Sequence, residues 1–153
     1  MTATQQIPAV HDSLTLERTY NASTTRVFEA WRDVKARERW SKPSDDTEIV
    51  YDQAEFKVGG VDIMRCGFKG DLRYSAHVRY LEIIADTRIV MAERIAENGA
   101  PQAVSLVTIE MTPEGKSTRL KVTLQISALD GSDMLQGYRD GWGTTLDNLA
   151  NEF

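Results

Sequence analysis

The sequence has a single cysteine, Cys66, and only two histidines, His11 and His77. One thiol cannot close an intramolecular disulfide, and these residues together cannot supply the Cys/His set of a structural zinc site. An Asp/Asn/Gly calcium loop is missing as well, so no metal or other cofactor is expected. Basic excess is also absent: 18 Lys and Arg stand against 23 Asp and Glu, a net charge of -5. That is the wrong sign for the phosphate attraction behind sequence-independent nucleic-acid binding, and no nucleic acid partner is expected. No apolar run approaches the ~20 residues that span a bilayer. Residues 1–13 lack the basic-then-apolar order of a secretory signal. The expectation is a cytoplasmic protein with no membrane span.

What is present fits one globular domain. The 153 residues are 41% hydrophobic and 27% charged, near the averages for chains that fold around a single core. Residues 1–13 are polar and aperiodic and read as a flexible tail, leaving 14–153 as the domain. Residues 14–20 alternate, with Leu14, Leu16 and Tyr20 on one side, as in a half-buried strand; Arg18 shares that apolar side. Turn and cap residues follow over 21–25. Val27, Phe28, Trp31 and Val34 then recur at helical steps, and a second short helix over 35–40 stops before Pro43. Between residues 48 and 127 turn signals divide the chain into six strands, and connections this short suit an antiparallel meander. From Leu135 the period changes: Leu135, Tyr138, Trp142, Thr145 or Leu146, Leu149 and Phe153 form one helical stripe, on which Trp142 is expected to be the main contact with the sheet. Gly137 and Gly141 lie four apart in that helix, a spacing that points to close backbone approach.

A long antiparallel sheet must curl, and the last helix is the only element large enough to cover its concave face. The expected fold is α+β: a helix-grip of about seven strands wrapped around a long C-terminal helix, with two short helices after the first strand. The stretches LERTYNASTTRVFEAW, FKVGG, RYLEIIADTRIVMAERI, STRLKVT and GWGTTLDNLANEF resemble the SRPBCC, START-like superfamily over 14–153. Within it they resemble the branch named after the activator of the 90-kilodalton heat-shock protein ATPase, which also holds CalC-like and polyketide-cyclase-like members. The resemblance implies a cavity between sheet and helix that takes a hydrophobic or aromatic small molecule. It leaves open a cyclase- or hydrolase-like enzyme and a stress-related protein-interaction module, and a homodimer also stays open.

Strand phase selects the residues that reach such a cavity. The phase of Asp62, Met64, Cys66 and Phe68 is the more continuously apolar one in its strand. Ala76, Val78 and Tyr80 form the inward phase of the next, which sends His77 and Arg79 outward. Ile89, Met91, Glu93 and Ile95 share a phase in the strand after that, with Glu93 where relatives often carry an aromatic residue. Asp62 and Glu93, if both face inward, are suited to acid–base work or to a cationic ligand. The alternative is that they sit at strand ends in water or pair with Arg18. Met64, Met91, Tyr138 and Trp142 fit an adaptable apolar lining, although the same residues would serve equally as ordinary core. Trp31 reads as core, and Trp40 lies near the expected entrance. A Cys-His-acid nucleophilic triad built on Cys66 and His77 stays open in the sequence, but a lone cysteine in an apolar strand ordinarily only packs. Gly59-Gly60 opens a strand with no helix behind it and is no phosphate loop.

Overall fold

Alternation builds most of the molecule. In the computed structural model, which describes residues 7–153, the elements run β1 (Val10–Tyr20), α1 (Thr24–Arg32), α2 (Val34–Trp40), β2 (Thr47–Gln53), β3 (Val61–Phe68), β4 (Asp71–Ile84), β5 (Arg88–Glu97), β6 (Ala100–Glu114), β7 (Ser117–Ala128) and α3 (Met134–Leu149), closed by a single turn of 3-10 helix. The seven strands form one antiparallel sheet in the order β1-β7-β6-β5-β4-β3-β2. Every connection from β2 to β7 is thus a hairpin, and the chain crosses only once, through α1 and α2. The β5–β6 hairpin shows why it forms locally: Asn98 and Gly99 both take positive φ, 48° and 83°, the two-residue turn whose twist matches its strands. In β7, Leu120, Val122, Leu124 and Ile126 are buried while Lys121, Arg119 and Gln125 face water.

Ser23 caps α1 by accepting the Arg26 N–H at 3.2 Å, and Asp33 ends α1 and caps α2 by accepting the Lys35 N–H at 3.0 Å. This one acidic residue breaks the helical run and restarts it in a new direction.

Four expectations need correction. The strand β1 begins at Val10 and not at Leu14, because residues 10–13 pair with Ala128 through Gln125 of β7; residues 1–6 of the expected tail lie outside the described residues. Phe68 does not line the inner face with Asp62: it is the last residue of β3 and is exposed, beside a bulge that puts one extra residue into β4 opposite Cys66 to Phe68. Arg18 reaches neither Asp62 nor Glu93: its Nε donates to Asp147 Oδ1 of α3 at 2.8 Å. Trp142 is not the main contact of α3 with the sheet. Leu146 and Leu149, fully buried, hold that place, while Trp142 is only half-buried.

The core is therefore uneven. Towards its C-terminus α3 packs on β1 and β7, where Tyr20 donates its O–H to the Leu146 carbonyl at 2.7 Å. Towards its N-terminus the helix stands off from β3, β4 and β5, and the space left there is the site described next.

Candidate functional site

The inward phase of the strands places polar residues in one row across the sheet. Asp62 pairs with Val78, Val78 with Glu93, and Glu93 with Ser105. At about 4.8 Å per strand, Asp62 and Glu93 stand roughly 10 Å apart with Val78 between them. Above the row lies a cavity of about 250 Å³. All eight residues singled out from the sequence border it: Asp62, Met64, Tyr80 and Met91 from the sheet floor, Glu93 beside them, Trp40 from α2, and Tyr138 and Trp142 from α3.

One end is a closed ionic cluster. Arg37 Nη1 donates to Asp62 Oδ2 at 2.6 Å and to the Tyr80 hydroxyl oxygen at 3.0 Å; Tyr80 in turn donates to Asp62 Oδ2 at 2.5 Å. Asp62 Oδ1 accepts the Glu55 N–H at 3.0 Å. That last bond depends on Gly60, where a Cβ would lie 2.2 Å from the Glu55 carbonyl oxygen; only glycine lets the loop fold back so closely. The Arg37 guanidinium also lies over the Tyr51 ring, 4.8 Å from its centre. Burial disfavours the Arg37 charge, but Tyr51, Tyr80 and Asp62 outweigh it and hold its pKa up, so Arg37 stays cationic. Burial raises the Tyr80 phenol, with Arg37 opposing and Asp62 adding to the rise. Tyr51 is pushed up to about 12, chiefly by burial. Asp62 thus sits in an ion pair with three donors, an arrangement suited to fixing structure and unsuited to passing a proton.

At the other end, Tyr138 of α3 lands between two cross-strand partners. Its O–H donates to Glu93 Oε1 at 2.9 Å, and its oxygen lies 2.8 Å from the Ser105 hydroxyl. Burial raises the Glu93 carboxyl above the ordinary carboxylate range, while the Tyr138 bond works against that rise. The Tyr138 phenol is raised by burial and by the Glu93 charge. Cys66 borders the cavity and is raised by burial and by Glu93. His77 points outward from the opposite face of β4, so no Cys66–His77 pair exists.

Between the two ends the wall is apolar: Met64, Met91, Val78 and Ile89 below, and three indoles at the side. Trp31 packs edge-on against Trp40 at 4.7 Å and parallel to Trp142 at 6.0 Å. Trp31, read from the sequence as core, is buried and borders the cavity as well. The glycine pair does something other than the expected close approach. A Cβ on Gly141 would meet nothing within 4 Å, and one on Gly137 would meet only the Met134 side chain; both glycines border the cavity and keep it open. Arg37, Tyr51 and Ser105 were not among the residues singled out. Arg37 was legible only as one of the charges on a short helix, and its burial comes from α2 folding across the sheet.

The raised Glu93 carboxyl has a consequence for stability. The folded state holds this proton more tightly than the unfolded chain, so its contribution is full below the ordinary carboxyl range and is lost as pH rises through the raised value. Relative to wild type, Glu93→Gln is expected to gain stability steadily as pH increases from about 4 toward neutrality. Denaturant titrations of both proteins across that range check it; parallel profiles would count against a proton-holding Glu93.

A curved antiparallel sheet gripping a long C-terminal helix over a lined cavity defines a helix-grip, ligand-binding type of domain of the SRPBCC, START-like class. Residues 21–153 match the family model described as Activator of Hsp90 ATPase homolog 1-like protein, and the chain belongs to that family. No curated protein matches it in sequence. Among solved structures it is similar to the Mll3558 protein from Rhizobium loti, at 35% identity and TM-score 0.85 over 95% of this chain and 99% of that one. An uncharacterized protein from Rhizobium leguminosarum is 25% identical, with TM-score 0.84 over 94% and 95% of the two chains. CalU16 from Micromonospora echinospora shares the fold at 20% identity and TM-score 0.64, covering 99% of this chain and 86% of that one.

Proposed function

We propose that the protein binds a small hydrophobic or aromatic molecule in the cavity between the sheet and α3, as a carrier or sequestering protein without a cofactor. The observation that carries this reading is the shape of the inner face. A domain of this size would ordinarily fill such a volume with side chains, yet here glycines stand at Gly137 and Gly141, on the face of α3 toward the space, where larger residues would close it. The lining is largely apolar with a few polar groups at the two ends, the composition typical of small-molecule sites. Three indoles and two thioethers suit a flat aromatic guest in particular. The fold shared with CalU16 is compatible with this reading. A cyclase- or hydrolase-like role draws less support, because Asp62 is engaged by Arg37, Tyr80 and Glu55 and only Glu93 remains as a candidate proton carrier.

The test uses ethylnaphthalene as an uncharged aromatic probe. Calorimetry is expected to show saturable binding near one per chain, and the melting temperature is expected to rise because only the folded state binds. Met91→Trp projects added volume into the cavity. It should weaken binding on the order of tenfold or more while leaving the fold intact. A tightly packed interior behaves differently: that variant would then lose roughly 1–3 kcal/mol, and the wild type would show no saturable binding.

A further inference from the structure

Glu93 is placed to do more than line the cavity. It lies in the middle of β5, on the inner face, with strands on both sides and α3 above. A carboxylate has room for about four hydrogen bonds, and Tyr138 occupies one oxygen. The other, Oε2, has no hydrogen-bond partner among the described residues and is not sealed by protein atoms. Glu93 keeps accessible surface although it stands deep in the fold, and that surface belongs to the cavity wall. The charged groups around it do not neutralise it. Among the described residues Arg37 is the only cation bordering the cavity, and it is spent on Asp62 and Tyr80 at the far end. Tyr138 from α3, Cys66 from β3 and Tyr51 from β2 are the titratable groups that feel the Glu93 charge, and all of them are acids. Ser105 from β6 adds only a hydroxyl.

We infer that the cavity selects aromatic ligands that carry a basic nitrogen, the ligand N–H donating to Glu93 Oε2 while the ring lies among Trp31, Trp142 and the methionines. The inference rests on the cavity being a ligand site. A charge-assisted N–H···O bond formed away from water is about twice as strong as a neutral one, and an acidic group without a cation is incomplete until such a ligand arrives. The step balances as a proton transfer. When the ligand enters as an ammonium and Glu93 carries its proton, the carboxyl O–H bond breaks, the proton leaves to solvent and an ammonium–carboxylate pair remains. When the amine enters neutral, that proton moves to its nitrogen instead.

The experiment compares naphthylmethylamine with ethylnaphthalene, two probes of similar shape that differ in the basic nitrogen. Wild-type protein is expected to bind the amine on the order of tenfold tighter or more, with a calorimetric heat that depends on the buffer because a proton is released. Affinity for the amine should rise with pH while that for ethylnaphthalene stays flat. Glu93→Gln keeps an acceptor for Tyr138 and should abolish the preference for the amine, bringing the two affinities together. Equal affinities for the two probes, or an amine preference that survives in Glu93→Gln, overturns the inference and leaves the cavity reading standing. Failure of both probes to bind removes the two together.

Discussion

Asp62→Ala is expected to cost about 3–5 kcal/mol, the range seen when one partner of a buried ion pair is removed. Arg37 and Asp62 are only 5% and 1% exposed, so the guanidinium left behind has little water to turn to. Its Nε already lacks a hydrogen-bond partner, and the substitution would also leave the Tyr80 hydroxyl and the Glu55 N–H without their acceptor. Against the 5–15 kcal/mol that holds a typical domain together, such a loss is severe. The second half of the test is a double substitution, Arg37→Met with Asp62→Leu, which removes both charges and should recover much of the stability. Urea denaturation of wild type, single and double variants measures all of this. A single variant that loses under about 1 kcal/mol, the magnitude of a surface pair, would mean that water reaches the cluster.

The helix provides the other large effect, and it falls on Leu146. Leu146 is fully buried where α3 meets β1 and β7, and Leu146→Ala should destabilise by about 3–5 kcal/mol through lost transfer energy and the void it leaves. Trp142→Ala is the larger deletion of atoms but the smaller loss expected. Its indole is half-buried, stacks on Trp31 at 6.0 Å and borders space that is already open, so fewer packed neighbours are forfeited. Its effect should appear instead as weakened binding of ethylnaphthalene. Measuring stability and binding for both variants separates the roles. Equal stability losses would mean that Trp142 packs as tightly as Leu146, and that the cavity is smaller in solution than its walls describe.

The order of elements was legible because it follows from short-range periods. Alternation in residues such as Leu120 to Ile126 and the three- and four-residue steps from Tyr138 to Leu149 are local properties, and so are the turns at Asn98-Gly99 and the caps at Ser23 and Asp33. Strand phase was legible for the same reason, and it brought Asp62, Met64, Tyr80, Met91 and Glu93 to one face. It failed at Phe68, which ends β3 and is exposed there; the pairing irregularity at that point puts its extra residue into β4, where the period of β3 cannot announce it.

The partners of those residues were another matter. Alternation says that Asp62 and Glu93 point inward, but it does not say what meets them. Arg37 reaches Asp62 across 25 positions of sequence, and Tyr138 reaches Glu93 across 45, distances at which no local pattern carries information. Register aligned the two carboxylates in one row with a valine between, and so separated a buried ion pair from a carboxyl with one oxygen unpartnered among the described residues. Arg18 shared the inward phase and still turned to Asp147, because β1 lies at the sheet edge beside the packed end of α3. By itself the sequence determined the strands, the helices and the faces they bury, since each depends on neighbours a few residues away. Only the tertiary structure decided which half of α3 packs and which half spans a cavity, because that depends on the curvature of seven strands acting together.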